Sequence, residues 1–579
     1  MTTLLALLAA CPAPATKIPG GRLDVALDGN WTAANGRPVV FPSLQQGTNL
    51  LAHHPVRLPA NWHPQTRVTL RADATGWLAT VAIDGVNAGH DVGGLRPLAI
   101  DLTGKLHPGA NDLTLTLAPA STTNILADRA VASLSAFTNE MPPPGTVVAG
   151  GHLWLEFSGR EAIHHIGARL EDADLVATLR ASQPAGTRVQ FAVVRDGETM
   201  ATLPDAVLTA GGTATARIPW NSPRWTPADP LLQWLVATVG SEQRAIRFGA
   251  RALTRTGNTL AVNGENAYLA VLRWPVREPP TRSSLAAFAV EVARIGANGV
   301  EFHAEGFSGE AFDTLDELGL YAVVTPVCDG KQRANGPAEP HAPWQEFTAA
   351  SSQRIADHLG GHPALALWHL EGHQEARDPR VYDAYVATAV PHVDLHDSQG
   401  LEATAIPTVL TAAMPAYWNE TPWHDPSAAP DLLATVLAAH RTVGLGLALP
   451  NLTMSSQPSP AYRASIAALE ARIAAQLTAA NVPSWPAGPR RGPGGIAVSV
   501  RRGGQPVPGA IAIFALPGLP PVASAADASG IARLSIDYAS TAQISIFGEV
   551  GAATATVSPG EYRPGVFATN VAHTTLDLP

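Results

Sequence analysis

Ten residues able to carry acid, base or metal-binding chemistry fall in three short stretches: Glu301, His303 and Glu305; His369, Glu371, His373 and Glu375; Glu420, His424 and Asp425. Two carboxyl groups brought together can divide the work of proton donor and nucleophile, and an imidazole can move a proton or ligate a metal. Residues i and i+2 of a strand share a face, so Glu301 and His303 can point the same way. The His and carboxylate spacing matches no zinc or iron motif, so the reading assigns no metal and expects no cofactor. Hydrogen-bonded polar residues lining a pocket are the plainer account. Indoles stand nearby, at Trp274, Trp368, Trp418 and Trp423, and their flat faces suit stacking against apolar C–H surfaces of a ligand.

The elements that must position these groups are legible as periodicity. From 251 to 487, short apolar runs alternate with amphipathic helices predicted at Ser283–Ile295, Gly309–Leu318, Gln345–Leu359, Asp431–Val443 and Ala461–Ala480. That alternation argues a (β/α)8 TIM barrel, whose reactive groups stand at the carboxyl ends of the strands. Residues 21–145 read as alternating strands closed by Gly, Pro or Asn, which is a β-sandwich, and 150–250 give a second set. Residues 494–579 read as a small C-terminal immunoglobulin-like sandwich, while Trp31, Trp62, Trp154 and Trp234 read as core.

Composition narrows the partners. The chain has 579 residues, 46% hydrophobic and 15% charged, with net charge −10; Lys occurs only at Lys17, Lys105 and Lys331. Several buried cores are affordable, disorder is excluded, and no basic stripe can hold a nucleic-acid backbone. Only two cysteines are present. Cys11 ends L-L-A-L-L-A-A-C, which resembles a bacterial lipobox, so residues 1–20 are expected to be signal and tether, with Cys11 lipid-modified. The expected location is the bacterial cell envelope, at the periplasm or cell surface, with membrane contact only through that anchor. Cys328 is left without a disulfide partner and reads as a small buried hydrophobe. Oligomeric state is not legible.

The order G-N-W at Gly29–Trp31, V-R-L-P-A-N-W ending at Trp62, V-A-I-D-G at Val81–Gly85 and P-G-A-N-D-L-T-L-T-L resembles the N-terminal jelly-roll of glycoside hydrolase family 2. W-T-P-A-D-P-L from Trp225 and R-F-G-A-R at Arg247–Arg251 resemble that family's immunoglobulin-like second domain where it leads into the barrel. The resemblance covers roughly residues 23–485. It implies a retaining β-glycosidase with a carbohydrate substrate, its two carboxyl groups about 5–5.5 Å apart.

It also implies where those groups belong, and the chain departs there. The fourth-strand proton donor of the family follows W-x-x-x-N-E; this chain reads W-H-L-E-G-H-Q-E from Trp368. With a two-residue insertion Gln374 and Glu375 replace Asn-Glu; without it the position falls on His373, with Glu371 two residues earlier. The seventh strand is read as Leu445–Leu449, followed by Pro450 and Asn451, with no carboxylate where the nucleophile belongs. Glu420, after the sixth strand beside Tyr417 and Trp418, is the replacement candidate. In the second strand Glu301 replaces an Arg that would support the nucleophile, ahead of His303. Catalytic candidates are therefore Glu375, Glu420 and Glu371, with Trp274, His303, Trp368, His373, Gln374, Tyr417 and Trp418 as substrate contacts. A carbohydrate-binding relative without turnover is the alternative, and a metal-dependent hydrolase the third reading.

Overall fold

The computed structural model describes residues 18–579 except 42, 47–48, 64–65, 76–77, 93–96, 119–145, 160–161, 257–258, 275–279, 304–308, 327–341, 372–378, 389, 396–445 and 450–459. Six strands form one all-parallel sheet: β1 (Leu269–Arg273), β2 (Gly299–His303), β3 (Tyr321–Thr325), β4 (Leu365–Glu371), β5 (His392–Leu395) and β6 (Gly446–Leu449). Their order is β5-β4-β3-β2-β1-β6. Helices α1 (Arg282–Ile295), α2 (Gly309–Leu318), α3 (Ala342–Leu359), α4 (Pro379–Val386) and α5 (Pro460–Ala479) accompany it.

Both faces of a parallel sheet are covered, so its strands are apolar on both sides. Ala270 and Leu272 of β1, Val300 and Phe302 of β2 and Val324 of β3 pack on the helices, against Leu285, Val292 and Phe312. Leu269, Val271 and Val323 form a separate core on the opposite face. Helix α1 starts where Thr281 accepts from the Ser284 N–H, with Ser284 returning the bond, and stops at Gly296, whose φ of 76° suits a residue without a side chain.

The pairing of β6 bears on the strand count. β6 lies beside β1 in parallel, Leu269 opposite Gly446 through Leu272 opposite Leu449. Leu445–Leu449 was read as the seventh strand; in an eight-stranded barrel the neighbour of the first strand is the eighth. β5, a four-residue strand, was not anticipated, nor was α4.

The sandwiches are also joined differently. In the first, a six-stranded sheet packs on a nine-stranded one, with Trp31 and Trp62 buried as expected. Thr146–Ser158 pairs with both Arg22–Ala26 and Arg67–Thr75, so this unit extends to Ser158, past the break expected at 145–150. The second sandwich begins at Ile163, around Phe191, Leu235 and Phe248. The C-terminal sandwich is not a separate appendage. Its strand Val522–Ala525 adds in parallel to Arg22–Ala26, with Val25 opposite Ala523, and completes the nine-stranded sheet. Phe547 packs on Trp62 and Phe157 at 6.3 and 6.4 Å between ring centres, within the first sandwich's core. No helix among the described residues is long and apolar enough to cross a membrane.

Candidate active site

One end of the parallel sheet is closed. The three-stranded sheet of Leu253–Thr256, Thr259–Val262 and Glu265–Ala267 lies at the amino-terminal end of the strands, where Leu260 and Val262 pack with Trp225, Leu269 and Tyr321. Trp225 donates its indole N–H to the Asp316 carbonyl at 3.0 Å, fixing this closure to α2. Candidate chemistry belongs at the other end, where β2 terminates at His303 and β4 at Glu371.

Parity sorts the candidates. Val300 and Phe302 face the helices, so Glu301 between them faces the inner side, only 4% exposed. It lies in register with Arg273 of β1 and Val323 of β3. Sequence reasoning passed over Arg273, the last residue of β1. The family resemblance implies an arginine where this sequence has Glu301; an arginine occupies the neighbouring register position instead.

The same parity corrects two expected sugar contacts. Trp274 follows Ala270 and Leu272 on the helix side, 3% exposed, with its ring 4.9 Å from Phe288 and 6.2 Å from Phe302. Trp368 is fully buried against Tyr385 at 4.9 Å, its indole N–H donated to Thr388 Oγ1 at 3.0 Å. Both indoles are core residues of the sheet–helix layer, and neither offers a face to a ligand. Glu375, His373, Gln374, Tyr417, Trp418, Glu420 and Cys11 lie outside the described residues, as do Glu305, Cys328, His424, Asp425 and Asn451.

A metal-like cluster exists elsewhere. Asp313, Asp316 and His362 bring ligand atoms within 4.8 Å of one another at α2. Those atoms are already engaged. Asp316 Oδ2 holds His362 Nδ1 at 2.7 Å, Asp316 Oδ1 accepts the Ala364 N–H at 2.7 Å, and Asp313 pairs with Arg247 at 2.8 Å. Burial works against charge on His362, but Asp316 outweighs it and raises the imidazole pKa. The cluster is an internal salt-bridge knot that pins the turn before β4 to α2.

The fold has solved counterparts. A Faecalibacterium prausnitzii β-glucuronidase superposes with a TM-score of 0.56 at 17% identity, over 81% of this chain and 90% of that one. A Bifidobacterium dentium β-glucuronidase complexed with coumarin-3-O-glucuronide gives 0.59 at 16% identity, over 79% and 89%. A Ruminococcus gnavus β-glucuronidase in complex with D-glucaro-d-lactam gives 0.54 at 14% identity, over 78% and 89%. No protein-family model matches the sequence. No curated protein matches it either. The chain has a glycoside hydrolase family 2-like fold.

Proposed function

We propose that this chain is a β-glycosidase acting with retention on β-linked glycans, with Glu375 as proton donor and Glu420 as nucleophile. The observation that carries the reading is the pairing of β6 with β1. If the sheet closes on eight strands, β6 counts as the eighth, and the two strands between β5 and β6 are an expectation from the sequence of 396–445 alone. The apolar runs there are Leu401–Ile406 and Ala412–Trp418. On that expectation Glu420, two residues past Trp418, follows the seventh strand, where a retaining enzyme of this type needs its nucleophile, and the lack of a carboxylate at Asn451 does not count against catalysis. Glu375 follows β4, the strand expected to bear the acid.

The solved counterparts named above are β-glucuronidases, so an aryl β-glucuronide heads a panel of aryl β-glycosides for the purified protein. Turnover with retention that is lost in Glu420→Gln supports the assignment. A protein inert across the panel, or a fully active Glu420→Gln variant, defeats it. Glu301 favours a second reading, ligand binding without turnover, because a buried carboxylate replaces the expected cation and like charge disfavours an ionised nucleophile nearby. Glycan binding by a protein inert in that panel is its signature.

A further inference from the structure

A cavity of about 950 Å³ opens away from the strand ends, between the outer surfaces of α2 and α3, the second sandwich and the terminal sandwiches. Its size is that of a small-molecule or oligosaccharide pocket. Trp154 and Trp234, which the sequence assigned to the cores, are only half-buried and line this space.

The walls are charged, yet the charges are paired. Arg180 holds Asp357 at 2.8 Å, Arg247 holds Asp313 at 2.8 Å, Arg533 holds Asp527 at 2.7 Å and His152 holds Asp28 at 2.5 Å. An ionic ligand would have to break such a pair; a neutral one would not. Among the described residues, three wall atoms from three different units lack a hydrogen bond of normal geometry: Trp234 Nε1 of the second sandwich and Asp537 Oδ1 of the C-terminal sandwich, whose side chains face each other, and His358 Nε2 of α3. His358 Nε2 lies 3.4 Å from Asp73 Oδ1 without hydrogen-bond geometry.

Buried polar atoms of this kind are costly unless something binds them. A hydroxyl both donates and accepts, so one polyhydroxylated molecule can serve an indole N–H, a carboxylate oxygen and an imidazole nitrogen together. Thr178, Thr213 and Thr215 add hydroxyls along one wall.

We propose that this interdomain cavity is a second carbohydrate site that takes a neutral oligosaccharide, separate from the strand-end site and independent of turnover there. Calorimetric titration of the full chain with cellotetraose, xylotetraose and mannotetraose tests it, with glucuronate as the charged comparison. Binding of at least one tetrasaccharide is expected, with glucuronate at least tenfold weaker. Thr215 is exposed on an edge strand, so Thr215→Trp should fold and obstruct the cavity, weakening binding at least tenfold. Trp234→Phe keeps the ring, removes the N–H and should weaken it severalfold. Glu420→Gln should bind as wild type does. Failure of all three tetrasaccharides to bind, binding unchanged in both cavity variants, or loss only in Glu420→Gln would each overturn the proposal; the last would leave the glycosidase reading intact.

Discussion

Tyr562 donates its phenolic hydrogen to Glu317 Oε2 across 2.7 Å, linking the C-terminal hairpin of Gly560–Arg563 and Val566–Ala568 to helix α2. Glu317 is 4% exposed and also accepts from Arg247 of the second sandwich, at 2.6 Å, and from Arg282 of α1. One carboxylate thus ties α2 to three other parts of the chain. Burial, and then the neighbouring anion, push the Tyr562 pKa far above that of a free phenol, so the bond keeps its proton at any pH the fold survives.

Tyr562→Phe should cost about 1.5–3 kcal/mol, the worth of a hydrogen bond to a charged group. Glu317→Ala should cost about 3–5 kcal/mol, since it breaks two buried ion pairs at once, leaving Arg247 to Asp313 and Arg282 to Glu310. Urea unfolding midpoints check both, and equal, negligible shifts would refute the junction's importance.

Acid should loosen the first sandwich through His54. Its side chain is fully buried beside Trp31, and burial lowers its pKa to about 4. Above the unfolded value of about 6.5 neither state is protonated and nothing is lost. Between about 6.5 and 4 the unfolded chain takes up a proton that the folded chain refuses, removing about 3 kcal/mol in all. His54→Gln should flatten the stability profile in that window; an unchanged slope would exclude His54 as the cause.

Deleting residues 494–579 should abolish stable folding of the N-terminal sandwich. It removes the strand beside Arg22–Ala26 and exposes the core that Ile511, Ile513 and Phe547 complete. Loss of soluble protein, or dye binding to exposed apolar surface, would register this. A well-folded deletion variant with native Trp31 fluorescence would show that the two sandwiches are independent.

Glu375→Ala should slow glycosides with poor leaving groups by about 10²–10⁴-fold while sparing activated aryl glycosides, because a general acid matters only where the leaving oxygen needs its proton. A uniform loss across leaving groups would point to binding instead.

Periodicity made the architecture legible: α1, α2, α3 and α5 were anticipated, and so were the strands around Glu301 and Trp368. What it could not supply was position in space. Trp274 and Trp368 stand near strand ends, but which face they occupy depends on counting outward from Leu272 and on an irregular register between β3 and β4. β5 has only four residues, too few for a period to emerge. The placing of β6 beside β1 is a long-range pairing with no local signature, so chain order alone could not supply it.

The parallel pairing of Val25 with Ala523 also sets a clock on biosynthesis. The strand that carries Val25 is made well before the partner that carries Ala523. At about 5–20 residues per second, a separation of roughly 500 residues is a delay of about 25–100 s. During that interval the edge of Arg22–Ala26 offers unpaired backbone groups, an invitation to wrong strand partners. The protein's yield in a cell should therefore depend on protection of its nascent N-terminal sandwich, by a chaperone, more than on the stability of the finished fold.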